Sequence, residues 1–405
     1  MISYGGTAIL LTEYATFDQI IDRRGTNSIK WDHADCCPGR TDILPMWVAD
    51  MDFAAPRAVI DAASKAVEHG IFGYCGLPDS ALESVADWCA DRYGWPIDTT
   101  WLSYTSGVIT GLNIAIQTFT RPGESIIIQP PVYPPFHASV RSNGRKLVYN
   151  HLAKEDDGSF VMDIQALRSS VTDDTKMIVL CNPHNPVGRA WSKSELTAVA
   201  EVAEEHDLLV FSDEIHADLL LPPNRHTSFA SLSPEIAQRT ITGIAPSKTF
   251  NIAGLKASII ITPNERLRAD FDRAQEKTFG LYHANTFAVV AMEAAYRYGA
   301  EWLDRLMGYL AESRDEAVRF LRERVPSVTV APPEATFLLW LDFSRAGGDN
   351  DEIKRKLCCD AGVLLNDGRS FGPGGDYHFR FNFGCPRSVM RDGLERIAEV
   401  FGERG

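Results

Sequence analysis

The sequence lacks the features that mark several specialised classes of protein. Its 405 residues contain no C-x-x-C motif, no internal repeat and no low-complexity tract. No apolar run approaches the roughly 20 residues of a membrane helix. Acidic residues outnumber basic ones, 54 to 40, and the net charge of −14 disfavours a nucleic-acid-binding surface. The remaining composition, 45% hydrophobic and 23% charged, is typical of a soluble globular enzyme.

The cysteines and the N-terminus carry no sign of secretion. Two pairs of cysteines are adjacent, Cys36–Cys37 and Cys358–Cys359, and adjacent cysteines are poorly placed to bond to each other. We therefore predict that all eight are free thiols in a cytoplasmic protein. Because His33 and the first pair have no second ligand pair nearby, we predict no metal site. The short apolar run at residues 8–11 precedes the first basic residue, so it does not resemble a secretory signal.

The middle of the chain alternates between strand-like and helix-like segments. Short β-branched runs at 125–128, 177–181, 208–211, 240–244 and 258–261 predict buried strands. Residues 107–119 show a helical period, and a capping box at Ser192 and Glu195 predicts a helix that ends near His206. This alternation is typical of an α/β domain with a mostly parallel, doubly wound sheet.

The pattern changes near residue 291. Two long helical stretches, about 291–324 and 350–361, surround a strand-like run at 337–341, and a second such run follows at 377–383. We predict a smaller α+β domain over residues 291–405. The large domain would then cover residues 51–290, and an N-terminal segment, residues 1–50, would join the small domain.

Several polar residues follow predicted strands, where open α/β sheets bind ligands. Lys248 could act as a neutral amine nucleophile if it is buried, although a solvated loop lysine is the alternative. Asp213 could hold a protonated ring nitrogen or could simply cap a helix. The Asn185 amide could donate to a phenolate oxygen or could serve a turn. His216 could contact the same oxygen or be structural.

Three other segments could contact a phosphate, an aromatic ring and a carboxylate, each with a structural alternative. Ser106, Gly107 and Val108 open a helix whose free N–H groups suit a phosphate, although this signal is weak by itself. Tyr133 could stack on an aromatic ring or belong to the core. Aromatic and polar side chains alternate along residues 377–383, which predicts that Arg380 and the aromatic side chains lie on opposite faces of a strand. Its guanidinium could grip a carboxylate, whereas the alternative is a solvated sheet face.

Taken together, these segments resemble the fold-type I pyridoxal 5′-phosphate (PLP) family, the aspartate-aminotransferase-like group. The closest likeness is to its cystathionine β-lyase, or cysteine C–S lyase, branch. The resemblance extends from Phe17 to about Arg387 and is most specific at residues 22–28, 44–53, 69–74, 212–216, 247–255 and 380–387. Ala245 and Lys256 stand where aminotransferases often have Ser and Arg, so the phosphate contacts are expected to be rearranged.

The resemblance implies a role for each matching position. Lys248 would form the Schiff base with PLP and would then move the substrate's α-proton. Arg380 would take the substrate carboxylate, with Ala49 beside it. Tyr74 would reach across a homodimer interface to the neighbour's cofactor, and either Tyr74 or Lys248 would protonate the leaving group. The remaining cofactor contacts would come from Ser106, Gly107, Val108, Tyr133, Asn185, Asp213, His216, Ser247 and Lys256.

The predicted reaction is a β-elimination. An S-substituted L-cysteine, such as cystathionine, would yield a thiol, pyruvate and ammonia, and no membrane or nucleic acid would take part. The alternatives are an aminotransferase, or a lyase-like member diverted to a specialised biosynthetic pathway with oxidative or decarboxylating chemistry. We find no motif for a second arginine that would bind a distal carboxylate. Trp47 and Phe371 are candidate apolar walls for the group on sulfur, unless they are core residues.

Overall fold

A computed structural model of the protein describes residues 16–281 and 283–402, so the apolar run at 8–11 lies outside the described residues. Its strands are β1 (Leu44–Pro45), β2 (Leu102–Thr105), β3 (Ser125–Ile128), β4 (Lys146–Tyr149), β5 (Leu152–Lys154), β6 (Phe160–Met162), β7 (Thr175–Cys181), β8 (Leu209–Asp213), β9 (Thr240–Ile244), β10 (Ser258–Ile261), β11 (Leu338–Asp342), β12 (Val363–Leu364), β13 (Asn366–Asp367) and β14 (His378–Asn382).

Helices alternate with these strands. They are α1 (Ile29–Asp32), α2 (Arg57–His69), α3 (Asp79–Tyr93), α4 (Val108–Phe119), α5 (Pro134–Ser142), α6 (Ile164–Ser170), α7 (Lys193–Glu205), α8 (Pro234–Ala237), α9 (Pro246–Thr249), α10 (Glu265–Arg273), α11 (Thr286–Tyr298), α12 (Ala300–Arg324), α13 (Asn350–Arg355) and α14 (Arg387–Phe401). Among the helices of the described ranges, none has both the length and the apolar character that a membrane span requires.

The seven-stranded sheet has the order β2-β10-β9-β8-β7-β3-β4. Its strands run parallel except for β10, which is antiparallel to both of its neighbours. Both faces are covered, because alternate residues of β7 enter different cores: Val179 packs in the core that contains α4, and Leu180 in the core that contains α7. The prediction of a mostly parallel, doubly wound sheet is therefore confirmed.

A smaller sheet, β11-β14-β13, lies in the C-terminal part of the chain. A separate two-stranded sheet pairs β1 in parallel with β12, with Leu44 opposite Val363. The N-terminal segment therefore contacts the C-terminal part of the chain. The division into an N-terminal segment and two domains, with boundaries at residues 50 and 290, stays a prediction.

The predicted helical stretch at 291–324 proves to be the end of α11 followed by α12, with Gly299 between them. A Cβ atom at Gly299 would lie within about 2.4 Å of the Phe250 ring and of the Ala295 carbonyl oxygen. Glycine is therefore required there, because the chain passes closer to Phe250 than any side chain would permit. The stretch at 350–361 is α13 followed by a π-helical segment, Lys356–Ala361.

The prediction that all the cysteines are free was wrong for four of them. Cys36 bonds to Cys358 and Cys37 bonds to Cys359, with Cα–Cα distances of 5.8 and 5.3 Å. Neighbours in sequence indeed do not bond to each other, but the pairing of β1 with β12 brings one adjacent pair against the other. The two cysteines of each bond are 322 residues apart, so local spacing gave no sign of it. Cys75, Cys89, Cys181 and Cys385 are free, as expected.

Candidate active site

A cavity of about 510 Å³ opens at the carboxyl ends of β7, β8 and β9. This is the edge at which α/β sheets bind ligands. The residues predicted from the sequence line it, except for Trp47, Tyr74, Phe371 and Arg380: Ala49, Ser106, Gly107, Val108, Tyr133, Asn185, Asp213, His216, Ser247, Lys248 and Lys256.

Lys248 occupies the short helix α9, directly after β9, and its half-buried side chain lines the cavity. Burial lowers its pKa to about 8, and the positive charge of Arg380 acts in the same direction. The Nζ atom donates a hydrogen bond to the Ala49 carbonyl oxygen at 2.6 Å. About a tenth of this amine is therefore neutral at pH 7, and the neutral amine is the form that attacks an aldehyde. The alternative of a solvated loop lysine does not hold.

This lowered pKa predicts how the apoenzyme captures PLP. The rate of capture should rise about tenfold per pH unit below pH 8 and level off above it, because only the neutral amine attacks. Stopped-flow absorbance with apoenzyme would measure this rate, and Lys248→Ala apoenzyme is the control, which should show no saturating rise. A rate that keeps rising to pH 10 would mean that an exposed lysine reacts instead.

Asp213 is the last residue of β8 and is buried. Burial raises the pKa of its carboxyl to about 7. The Oδ1 atom accepts a hydrogen bond from the Ile215 N–H at 3.1 Å. A buried carboxylate gains most from a cationic partner, and a protonated pyridine nitrogen is such a partner. No helix begins directly after Asp213, so it is not a helix N-cap. Its only cap-like contact among the described residues is the hydrogen bond from the Ile215 N–H.

His216 is buried beside Asp213, and burial lowers its pKa to about 3, so the ring is neutral. Its Nδ1 atom has no hydrogen-bond partner among the described residues. Because His216 lines the cavity, this unsatisfied buried atom is suited to meet a polar atom of a ligand.

Arg380 lies on β14, fully within the protein, which excludes the alternative of a solvated sheet face. The guanidinium donates to Asn185 Oδ1 at 2.9 Å, to Asn366 Oδ1 at 2.6 Å and to the Trp47 carbonyl oxygen at 2.9 Å. It also lies over the Phe371 ring, 5.0 Å from the centroid. The first bond fixes Asn185 Oδ1 as an acceptor and leaves its NH₂ group as the donor.

No carboxylate of the described residues pairs with Arg380, and burial lowers its pKa to about 10. A buried cation held only by neutral acceptors is costly, and an anionic ligand would relieve that cost. The site is therefore suited to a substrate carboxylate, which a guanidinium binds through two parallel hydrogen bonds.

Asn366 is a functional residue that the sequence reasoning missed. Asn366→Ala should raise KM for an amino-acid substrate about tenfold with little change in kcat, because Arg380 loses its shortest partner and is less well oriented. Asn366→Asp is the matched variant, and it should raise KM further, since its carboxylate would compete for the guanidinium. Steady-state kinetics would measure both variants, and an Asn366→Asp enzyme with wild-type KM would contradict this role.

The start of α4 and the turn after α9 provide a place for a phosphate. Helix α4 has no side-chain cap, so its first N–H groups are free to bind an anion, and Gly107 is its N-cap residue. Ser247 and Lys256 line the same cavity, as does Thr110, whose hydroxyl lies 3.3 Å from that of Ser106. Thr110 was not predicted, although it adds a second hydroxyl to the cavity wall beside Ser106.

Tyr133 is the N-cap residue of α5 and lines the cavity wall. Burial raises the pKa of its phenol, so the ring carries a neutral hydroxyl. Stacking on a cofactor ring stays a prediction.

Tyr74 is not brought to the cavity of its own chain. Its side chain is 92% exposed and contacts the His283 ring at 4.8 Å between centroids. Ile71 and Phe72 beside it are also exposed.

A segment that we call the active-site strap, residues 46–53, contributes Ala49 to the wall of the cavity. Asn382 on β14 donates to the carbonyl oxygens of Val48 and Asp50, and Asn251 donates to those of Met51 and Phe53. These bonds hold the strap so that its Ala49 carbonyl reaches Lys248.

Ion pairs secure the far end of the strap. Lys30 is completely buried and binds Asp52 at 2.7 Å, and Arg23 binds both Asp50 and Asp52. The pairing explains why residues 22–28 and 44–53 stood out together in the sequence. The partners are more than 20 residues apart, so spacing alone could not reveal it.

Residues 41–397 match the family described as aminotransferase class I and II. The chain belongs to this family. It is 44% identical to cystathionine beta-lyase PatB of Bacillus subtilis over 382 residues, which cover 94% of this chain and 98% of the relative. The predicted fold-type I architecture and cystathionine β-lyase branch are thereby confirmed.

Solved structures agree with this assignment. Cystalysin from Treponema denticola, which contains pyridoxal 5′-phosphate, superimposes with a TM-score of 0.92 at 34% identity, over 96% of this chain and 98% of that one. The PLP-bound C–S lyase from Staphylococcus hominis gives 0.87 at 32% identity, over 95% and 98%. The PLP prediction is confirmed, and the residues around the cavity fit this cofactor: an amine, a buried acid and a helix N-terminus.

Proposed function

We propose that this chain is a PLP-dependent carbon–sulfur β-lyase that cleaves L-cystathionine or other S-substituted L-cysteines to a thiol, pyruvate and ammonia. The observation that carries the proposal is the placement of two groups together: Lys248, whose pKa is lowered by desolvation and by the charge of Arg380, and the buried Arg380, which has no carboxylate partner among the described residues. The named activity of the Bacillus subtilis relative gives the reaction type.

Each residue of the site has a defined task in this reaction. Arg380 binds the α-carboxylate of the substrate and so fixes the position of the α-carbon. Lys248, in its neutral form, removes the α-proton. Asp213 holds the pyridine nitrogen of the cofactor, and bound PLP supplies the electron sink for the carbon that loses its proton. The strap holds the Ala49 carbonyl oxygen against the Lys248 amine and so orients that amine.

The substrate's sulfur substituent leaves from the β-carbon as a thiolate. Trp47 and Phe371 were the candidate apolar walls near that substituent, but neither lines the cavity. Phe371 is a buried core residue beneath Arg380, and the Trp47 indole N–H donates to the Lys30 carbonyl oxygen. Tyr74 of a partner subunit, or Lys248, would protonate the leaving sulfur. The released aminoacrylate hydrolyses to pyruvate and ammonia.

The test is to incubate the purified holoenzyme with L-cystathionine and several S-substituted L-cysteines and to score pyruvate and free thiol. Both should form without any added keto acid. If turnover requires a keto-acid acceptor and releases no thiol, the aminotransferase alternative replaces this proposal. If pyruvate is absent but carbon dioxide or an oxidised product forms, the enzyme belongs to a diverted pathway.

We also propose a homodimer with shared active sites. Its support is the exposed apolar group of Ile71, Phe72 and Tyr74, since such patches mark interfaces. The resemblance gives Tyr74 a role that it does not fill within its own chain.

Subunit mixing tests the shared site. Tyr74→Phe and Lys248→Ala subunits should each be impaired alone, and together they should recover about a quarter of wild-type activity. Half of the dimers would be mixed, and one of the two sites in each would be intact. The control mixes Lys248→Ala with the Tyr74→Phe/Lys248→Ala double variant and should recover nothing. No recovery despite subunit exchange, shown by mass spectrometry, would count against the shared site.

The division into an N-terminal segment, a large domain and a small domain is also proposed with the boundaries given above. A cytoplasmic location stays a prediction, and the two disulfides remove one of the arguments for it.

A further inference from the structure

The two disulfides join the segments that hold Arg380. Cys36 and Cys37 begin an N-terminal arm, residues 36–47, that ends at Trp47, whose carbonyl oxygen accepts from the Arg380 guanidinium. The residues bonded to them, Cys358 and Cys359, begin a second arm, residues 358–366, that ends at Asn366. The Asn366 Oδ1 accepts from the same guanidinium nitrogen. The cross-links therefore connect both arms that position the carboxylate-binding group.

Apart from the disulfides, hydrogen bonds and core packing join the arms, and Arg396 donates to the carbonyl oxygens of Asp42 on one arm and Gly362 on the other. The β1–β12 pair is only two residues long on each side. Arg40 adds hydrogen bonds to the carbonyl oxygens of Cys359 and Asp360. Two covalent links added to these non-covalent contacts should increase how firmly the arms hold each other.

The two disulfides differ in accessibility. Cys358 is buried, at 4% exposure, whereas Cys36, Cys37 and Cys359 are each partly exposed. A small solute can therefore reach the Cys37–Cys359 bond more easily than the Cys36–Cys358 bond, and exchange should begin there.

We propose that these four cysteines form a thiol–disulfide redox site that sets the affinity of Arg380 for the substrate carboxylate. Its reactants are low-molecular-weight thiols and disulfides. The site is tight when both bonds are formed and looser when they are reduced. The effect on substrate rests on the role of Arg380 in the proposed function, whereas the redox chemistry does not.

The exchange proceeds in two steps for each bond. A thiolate attacks the sulfur of Cys359, the Cys37–Cys359 bond breaks, and Cys37 leaves as a thiolate that takes up a proton. A second thiolate attacks the external sulfur of the mixed disulfide, which releases Cys359. Two external thiols are thus oxidised to one disulfide while one protein disulfide is reduced to two thiols, and a low-molecular-weight disulfide reverses the process.

The test compares untreated holoenzyme with holoenzyme reduced by a phosphine, which avoids the reaction of amino thiols with PLP. Thiol titration under denaturing conditions should count only Cys75, Cys89, Cys181 and Cys385 before reduction and all eight cysteines afterwards. The dissociation constant of L-alanine, which has no β-leaving group, follows from the cofactor absorbance. Reduction should raise it about fivefold, raise KM similarly and leave kcat within about twofold. Oxidised glutathione should restore the original values.

The C36S/C37S/C358S/C359S variant is the matched control. It should behave like the reduced enzyme and should not respond to phosphine, and reversibility in the wild type carries the test if this variant does not fold. Eight free thiols before reduction would overturn the redox site itself. Four new thiols with an unchanged constant for L-alanine would overturn its link to Arg380. Neither the thiol count nor the dissociation constant of L-alanine needs lyase turnover. A failure of the proposed reaction would therefore show separately, in the pyruvate assay.

Discussion

Lys248→Ala is expected to reduce turnover to less than about one part in 10⁴ of the wild type. The variant loses the amine that bonds the cofactor and the base that takes the α-proton, and these roles fall on one atom, Nζ. Pyruvate release from an S-substituted cysteine would measure the loss. Borohydride reduction of the wild type, followed by peptide mass mapping, should place the pyridoxyl group on Lys248.

Lys248→Arg is the matched control for charge and size. A guanidinium stays protonated, so this variant should be as inactive as the alanine variant even though it keeps the positive charge. A pyridoxyl label on another lysine, or an arginine variant with appreciable turnover, would show that the neutral amine of Lys248 is not the reacting group.

Asp213→Ala should lose about a thousandfold in turnover and still bind PLP. The buried carboxylate, whose pKa is raised to about 7, would become the partner of the protonated pyridine nitrogen when the cofactor binds. Without that partner the nitrogen loses its proton, and the ring withdraws electrons poorly. Cofactor content from absorbance and kcat from the pyruvate assay would separate binding from turnover.

Asp213→Asn distinguishes charge from packing. The amide keeps the size of the side chain and its oxygen can still accept from the Ile215 N–H, so the fold around β8 should be undisturbed. Its turnover should nevertheless fall nearly as far as that of the alanine variant. A near-wild-type rate in either variant would show that Asp213 is not the partner of the ring nitrogen.

The residues around the cofactor could be predicted because each of them follows a strand that is easily predicted. Lys248 follows β9, Asp213 ends β8, and Asn185 lies just beyond β7. Parallel strands bring their carboxyl ends to one edge of the sheet, so a list of polar residues after apolar runs is already a list of neighbours. The direction of each strand is harder to predict from the sequence. Nothing in the apolar run of β10 shows that this strand runs antiparallel to both of its neighbours.

The substrate side of the site was less predictable because it depends on main-chain atoms and distant partners. Any residue offers a carbonyl group, so nothing in the sequence marks Ala49 or Trp47 as the acceptors for Lys248 and Arg380. Asn366 and the paired cysteines act only because β1, β12 and β14 come together, which requires the complete fold. The role of Tyr74 came from the resemblance alone.

The dependence of Arg380 on residues from both ends of the chain has a consequence for biosynthesis. The Trp47 acceptor lies 333 residues before it. All strands of the seven-stranded sheet have been made by Ile261, whereas Arg380 follows much later, on the order of ten seconds at typical rates of translation. A nascent chain can therefore bring together Lys248, Asp213 and the start of α4, where a phosphate would bind, while the strap still lacks its Asn382 donor. Cofactor capture can precede the ability to recognise substrate, and a chain released too early would hold PLP without the arginine that directs its chemistry.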